Sequence, residues 1–174
     1  MKNYFTNISM TGRIAYGIMC FESLIKDKYP DYNWDPLLLK LWDVTSAEYW
    51  DEWASMFIEY IPEYMLEFPT YEESDFEFIK KEEYNALKPV YDSVDESVNE
   101  VLKLIRDIEE VYAFSSIPKN GAESINILVQ ITEILKENNV SLPELTKVEG
   151  MTFDKRNGWG DLFDGTKLSI ILNR

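Results

Sequence analysis

Residues 93–114, SVDESVNEVLKLIRDIEEVYAF, decide the fold of this 174-residue chain. Val94, Val98, Val101, Ile105, Ile108 and Tyr112 recur at alternating steps of four and three, the period that returns side chains to one face of an α-helix. Ser93 and Glu96 have capping-box spacing, which predicts the helix start. Glu96, Glu100, Asp107 and Glu110 fall on the outward side, with Lys103 breaking the row.

The segments on either side repeat the pattern. Thr11 as a cap predicts a helix from Gly12 to Lys28 with Ile14, Ile18, Phe21 and Ile25 on one stripe. Ala15, Met19, Cys20 and Leu24 widen that stripe until little polar surface is left, as expected of a central helix buried on several sides. Gly17 inside it weakens the helix but lets another helix approach closely. Asp35-Pro36 opens a short helix carrying Leu37, Leu38, Leu41 and Trp42. Thr45 and Glu48 have capping-box spacing and predict a helix to about Ile61, with Trp50, Trp53, Ala54 and Phe57 inward and Glu52, Glu59 and Glu63 on the opposite face. Thr70 and Glu73 repeat that spacing before an irregular stretch, and Pro89 predicts a boundary or kink near Lys88. After a loop at 115–121, a helix from Ala122 to Asn138 buries Ile127, Leu128, Ile131, Ile134 and Leu135.

The tail differs. A glycine-rich segment, Asn157 to Gly165, precedes Thr166 to Leu172, which suits a short strand that Val148, Met151 and Phe153 would match. Such a two-stranded hairpin is marginal alone and needs helices to pack on. The expectation is a mainly α protein: one domain over residues 1–174, a compact multi-helix bundle of about five to seven helices, with a C-terminal segment suited to a short β-hairpin.

Charge is concentrated in the middle of the chain. Between Asp43 and Glu110, twenty carboxylates face five lysines and arginines, whereas the flanks nearly cancel, so this segment supplies the formal net charge of −15. It also holds Trp50, Trp53, Phe57, Tyr60, Tyr64, Tyr71, Phe76 and Phe78, and reads as an acidic, aromatic-rich surface over a core. Phosphate contacts need a positive footprint, so direct nucleic-acid binding is not expected. Rows of carboxylates between aromatics suit a basic protein partner, for which charge accelerates encounter and tryptophan supplies anchors. Neither a secretory signal nor a run of eighteen apolar residues is legible, so a cytoplasmic protein without membrane attachment is expected.

The chain has no histidine and one cysteine, which removes imidazole-based nucleophilic catalysis, histidine zinc sites and thiolate-rich metal sites. Cys20 sits in an apolar run and reads as a packed small hydrophobe. Carboxylate chemistry stays open through Glu48 with Glu52, Glu59 with Glu63, and Asp107 with Glu110, each spaced to meet on a helix. None comes with a nucleophile. Asn157-Gly158-Trp159-Gly160-Asp161 lacks the spacing and lysine of a phosphate loop, and counting twelve from Asp154 reaches Gly165 where a calcium loop needs glutamate. No metal or cofactor is therefore expected. Arg13 interrupts an apolar helix and is expected to bridge to a carboxylate of the acidic segment.

The Thr11-Gly12-Arg13 opening, the acidic helix with Trp50 and Trp53, and the late Gly158-Trp159-Gly160-Asp161 segment resemble the bacterial immunity proteins that neutralise polymorphic or contact-delivered toxins. The resemblance is one of general style over most of the chain and names no subfamily. It implies a non-enzymatic protein that binds a cognate basic toxin, commonly a nuclease, and blocks it by occlusion. On the residues themselves, the expected contact set is Glu52, Glu59, Glu63, Glu96, Glu100, Asp107, Glu110 and Trp159. An acidic helical adaptor or regulatory protein and a carboxylate- or divalent-cation-dependent hydrolase are the competing readings.

Overall fold

The computed structural model describes residues 2–113, 115–118 and 120–173. Eight α-helices are present among them: α1 (Lys2–Phe5), α2 (Met10–Lys28), α3 (Asp35–Trp42), α4 (Trp50–Phe57), α5 (Pro62–Met65), α6 (Lys81–Tyr91), α7 (Glu96–Glu110) and α8 (Ala122–Glu137), with single turns of 3₁₀ helix between and after them. The protein is mainly helical, as the periodicity predicts. Phe114 and Lys119, placed by the sequence at the end of a helix and in the next loop, lie outside the described residues.

The amphipathic stretch that decides the fold forms α7. Val98, Val101, Leu102, Ile105 and Ile108 are fully buried, and burial of each side chain contributes about 1.5–3 kcal/mol before entropy is counted. Its cap is Asp95 rather than Ser93: the Asp95 carboxylate accepts from the Ser97 amide. Asp107, Glu109 and Glu110 crowd the negative end of the helix dipole, and the helix stops at Glu110 instead of continuing through Val111.

Helix α2 lies across α7 and α8 and is buried along nearly its whole length. Gly17 marks the close approach, since a Cβ there would stand 3.3 Å from Ile105 Cγ1 and 3.4 Å from Ile131 Cδ1. The cap of α2 is Ser9, whose hydroxyl accepts from the Gly12 amide, and Thr11 lies inside the first turn. Asp95 also receives Lys28 from the far end of α2 and the Ser97 hydroxyl. Burial acts against its charge, but these hydrogen bonds and one with Tyr29 prevail and hold the carboxyl down to about 2.

A group with a depressed folded-state pKa stabilises the fold above its unfolded value, and that contribution is lost as pH falls through the folded one. Asp95→Ala is therefore expected to cost about 1 kcal/mol at pH 7. The difference should shrink as pH falls from about 4 toward about 2. Urea denaturation at both ends of that range checks it, and a pH-independent difference would remove the carboxylate from the account.

Several predicted boundaries move. The helix expected from Thr45 to Ile61 begins only at Trp50, because the Thr45 hydroxyl is engaged elsewhere: it donates to Trp42 O and accepts from the Gly165 amide. After Phe57 the chain tightens into a 3₁₀ turn, Ile58–Tyr60, and restarts at Pro62 as α5. Pro89 makes no boundary; α6 runs through it to Tyr91.

The C-terminal segment forms no hairpin, and among the described residues the sole β-bridge joins Ile8 to Thr152. Side chains have taken the tail's backbone donors instead. Glu22, fully buried on α2, accepts from the Ile170 amide at 2.6 Å, the Ser169 hydroxyl at 2.6 Å and Trp42 Nε1 at 2.7 Å. The Ser169 hydroxyl in turn accepts from the amides of Ile171 and Leu172.

Candidate functional site

Helices α7 and α8 present their polar sides to a common groove. Glu96, Glu100, Asp107, Glu133 and Glu137 line a depression of about 450 Å³ there, with Lys103 as its cation. Two neighbouring depressions share Lys103. One of about 600 Å³ lies toward Pro62, Leu66 and Asp95, and one of about 190 Å³ toward Tyr64, Glu67 and Arg106. Glu63 borders both and pairs with Lys103. The lysine hydrogen bond, followed by that of Asn99, pulls the Glu63 carboxyl below its ordinary value, and the same contact raises Lys103. Asn99 stitches the patch to the frame: its Oδ1 accepts from the Glu63 amide and its Nδ2 donates to Glu96 Oε1 at 2.7 Å. Asp107 is half-buried, and burial, followed by the neighbouring Glu110, raises its carboxyl. Glu110 itself pairs with Arg106 one turn back at 2.9 Å.

Of the eight residues expected to form the contact set, Glu63, Glu96, Glu100 and Asp107 are brought together on this surface, with Glu110 one turn beyond Asp107. Glu52 is exposed on α4 and lines none of these depressions. Trp159 lies at a separate pocket. Glu59 is a correction. It is 5% exposed, and its carboxylate accepts from the amides of Glu77, Phe78 and Ile79, each at 2.8 Å. The switch to a 3₁₀ turn at Ile58 rotates it off the outward face on which a continuous helix would have carried it. Glu59 and Glu63 therefore do not form a surface pair. Glu48 precedes the first turn of α4, so it does not share a helix face with Glu52.

Glu133 and Glu137 were not among the expected residues. The available signal was the spacing of Gln130, Glu133 and Glu137 opposite the apolar stripe of α8.

The separate pocket holds about 300 Å³ between the start of α4, the C-terminal end of α7 and the glycine-rich tail. Trp50 and Trp159 meet edge to face there, with centroids 5.2 Å apart. The Trp159 carbonyl accepts from both the amide and the hydroxyl of Thr11, each at 2.9 Å. Gly160 follows with φ +87°, and a Cβ there would collide with Ser9 and Thr11. The N-terminal and late sequence motifs thus pack directly on each other.

Arg13 departs from expectation. It is fully buried and pairs with no carboxylate among the described residues. Its Nη1 donates to Gly121 O and Ser124 Oγ, its Nη2 donates to Phe5 O and Asn120 O, and the guanidinium lies 5.1 Å from the Phe153 ring centroid. Burial lowers its pKa to about 10, which still leaves it charged at neutral pH. Its work is architectural: it holds α1 and the left-handed entry of α8 at Asn120 and Gly121 against α2.

Cys20 is fully buried, and burial pushes its thiol well up. Among the described residues no group of three or more cysteine, aspartate and glutamate side chains is placed to hold a metal ion, and no helix is long and apolar enough to cross a membrane. No protein-family model matches the chain, and neither a curated protein nor a solved structure does.

Proposed function

We propose that this protein is a non-enzymatic inhibitor of the immunity type that binds a basic protein toxin in the cytoplasm and blocks it by occlusion. The observation that carries the reading is the acidic groove, where Glu96, Glu100, Asp107, Glu133 and Glu137 from two helices surround the single cation Lys103. The carboxylates project from α7 and α8, whose opposite faces are locked in the core, so their spacing is held before a partner arrives. A basic surface approaching it gains long-range attraction that salt screens over about 10 Å at 0.1 M. Because the charges stand on helices without a nucleophile or histidine among them, the groove suits docking better than catalysis.

The test is affinity capture of co-encoded basic toxins at low and high salt, with the purified protein and a Glu96→Gln/Glu100→Gln/Glu133→Gln/Glu137→Gln variant. These four side chains are exposed, so the variant should fold. Capture at low salt should weaken at least about tenfold in the variant and in high salt. A panel of such toxins with no low-salt binding would refute the reading. Recovery of a standing assembly without a basic toxin would favour an adaptor instead.

A further inference from the structure

The pocket between Trp50 and Trp159 has in its lining a carboxylate for which the fold supplies no donor among the described residues. Glu109 is 4% exposed, lines the pocket, and its side chain makes no hydrogen bond or ion pair among the described residues, while its carboxylate oxygens keep a narrow access to solvent. Among the described residues the other buried carboxylates are satisfied: Glu22 accepts three hydrogen bonds and so does Glu59. A carboxylate this enclosed and held without a donor is less well solvated than one in open water, so a cation entering the pocket would offset that cost.

The surroundings specify what that is. Glu109 stands in the last turn of α7, where the helix dipole adds negative potential, and Glu48 and Asp51 line the same pocket. A cation is favoured on each count. The walls are the two indole rings, and a flat, weakly hydrated guanidinium can stack on them while donating to a carboxylate, whereas an ammonium is a compact, strongly hydrated charge. The volume of about 300 Å³ sits at the small end of ligand sites and admits one side chain rather than a drug-sized molecule. Burial holds the Glu109 carboxyl above its ordinary range, against the pull of Arg106 and with a further push from Asp51 and Glu110, so the group gains from a cation brought beside it. Arg156, exposed at the pocket, is a like charge that an incoming cation must displace or tolerate.

We propose that this pocket receives one guanidinium group, the side chain of an arginine that anchors the basic partner. The assignment rests on the partner-binding reading of the acidic surface. Helix α7 links the two, since its outward face lines the groove and its C-terminal turn supplies Glu109.

The test is a titration of the full chain with N-acetyl-arginine amide, followed by the indole N–H resonances of Trp50 and Trp159. The neutral isostere N-acetyl-citrulline amide and N-acetyl-lysine amide serve as comparisons. Saturable shifts at the two indoles are expected, at least about tenfold tighter for the arginine probe than for citrulline, and lost in Glu109→Gln. Asp51→Asn, at an exposed position, should weaken binding to a lesser extent, and Arg156→Gln should tighten it. Absence of saturation, equal binding of citrulline, preference for lysine, or unchanged binding in Glu109→Gln would each overturn the assignment.

A second arm compares capture of a basic toxin by the wild type and by Glu109→Gln, which should be about tenfold weaker. Equal capture by both overturns the pocket and leaves the groove reading standing. Probe binding with no basic protein captured marks a site for a small guanidinium compound and overturns the anchor role.

Discussion

Arg13→Met is expected to cost about 3–4 kcal/mol, measured as a fall in the urea midpoint at unchanged slope. The guanidinium donates to four oxygens, those of Phe5, Asn120, Gly121 and Ser124, and to Met10 Sδ at 3.9 Å. Methionine fills much of the volume and donates to none of them. The Gly121 carbonyl keeps the Ser124 hydroxyl and the Ile125 amide, and the Phe5 carbonyl keeps the Ile8 amide, so Asn120 O is the acceptor most exposed to loss. Arg13→Lys should recover little, since one ammonium cannot span acceptors on both sides of the planar fork. A cost below about 1 kcal/mol would show that the carbonyls find other donors and that Arg13 does not hold the helices together.

Glu59→Ala carries the second large effect, about 3 kcal/mol, because three amides lose a charged acceptor at once. The damage should be local as well as global. Hydrogen exchange at Glu77, Phe78 and Ile79 is expected to accelerate by at least about tenfold more than at Ile105 or Leu128, which lie in the core. Glu59→Gln keeps one acceptor oxygen and should fall between the two. Uniform acceleration across the chain would mean that the 76–80 segment is held by its own packing rather than by the carboxylate.

Much of the architecture was legible because α2, α7 and α8 are long and their apolar residues repeat at helical spacing, so local pattern and burial agree. What was hidden is instructive in its causes. Arg13 looked like half of an ion pair, yet its partners are backbone carbonyls, which every residue possesses and no sequence motif announces. Glu59 faces outward only on a continuous helix from Thr45, whereas the helix starts at Trp50 and changes pitch at Ile58. The tail had the alternation of a strand, but Glu22, more than 140 residues earlier, had already claimed its amide.

Glu109 left a trace that composition obscured. It lies four residues after Ile105 and three before Tyr112, on the apolar stripe itself, but the run Asp107-Ile108-Glu109-Glu110 reads at first as one solvated acidic cluster. A charged residue in register with a core stripe is a stronger pointer than a charged residue in a charged face. Of the expected contact residues, those on α7 fell together because one helix carries them, and Glu133 and Glu137 joined them only through the pairing of α7 with α8.

The hydrogen bonds from Thr11 to Trp159 span 148 residues. During synthesis a chain grown as far as residue 140 already contains α2, α7 and α8 and can bury most of its core. Its acidic groove can form at that stage, while the pocket still lacks the wall that Trp159 provides. The two parts of the surface therefore form in a fixed order, the charged groove before the walled pocket. On the proposed partner-binding reading, a chain lacking the Trp159 wall would meet a basic protein quickly and release it quickly, and slow dissociation would require that wall in place.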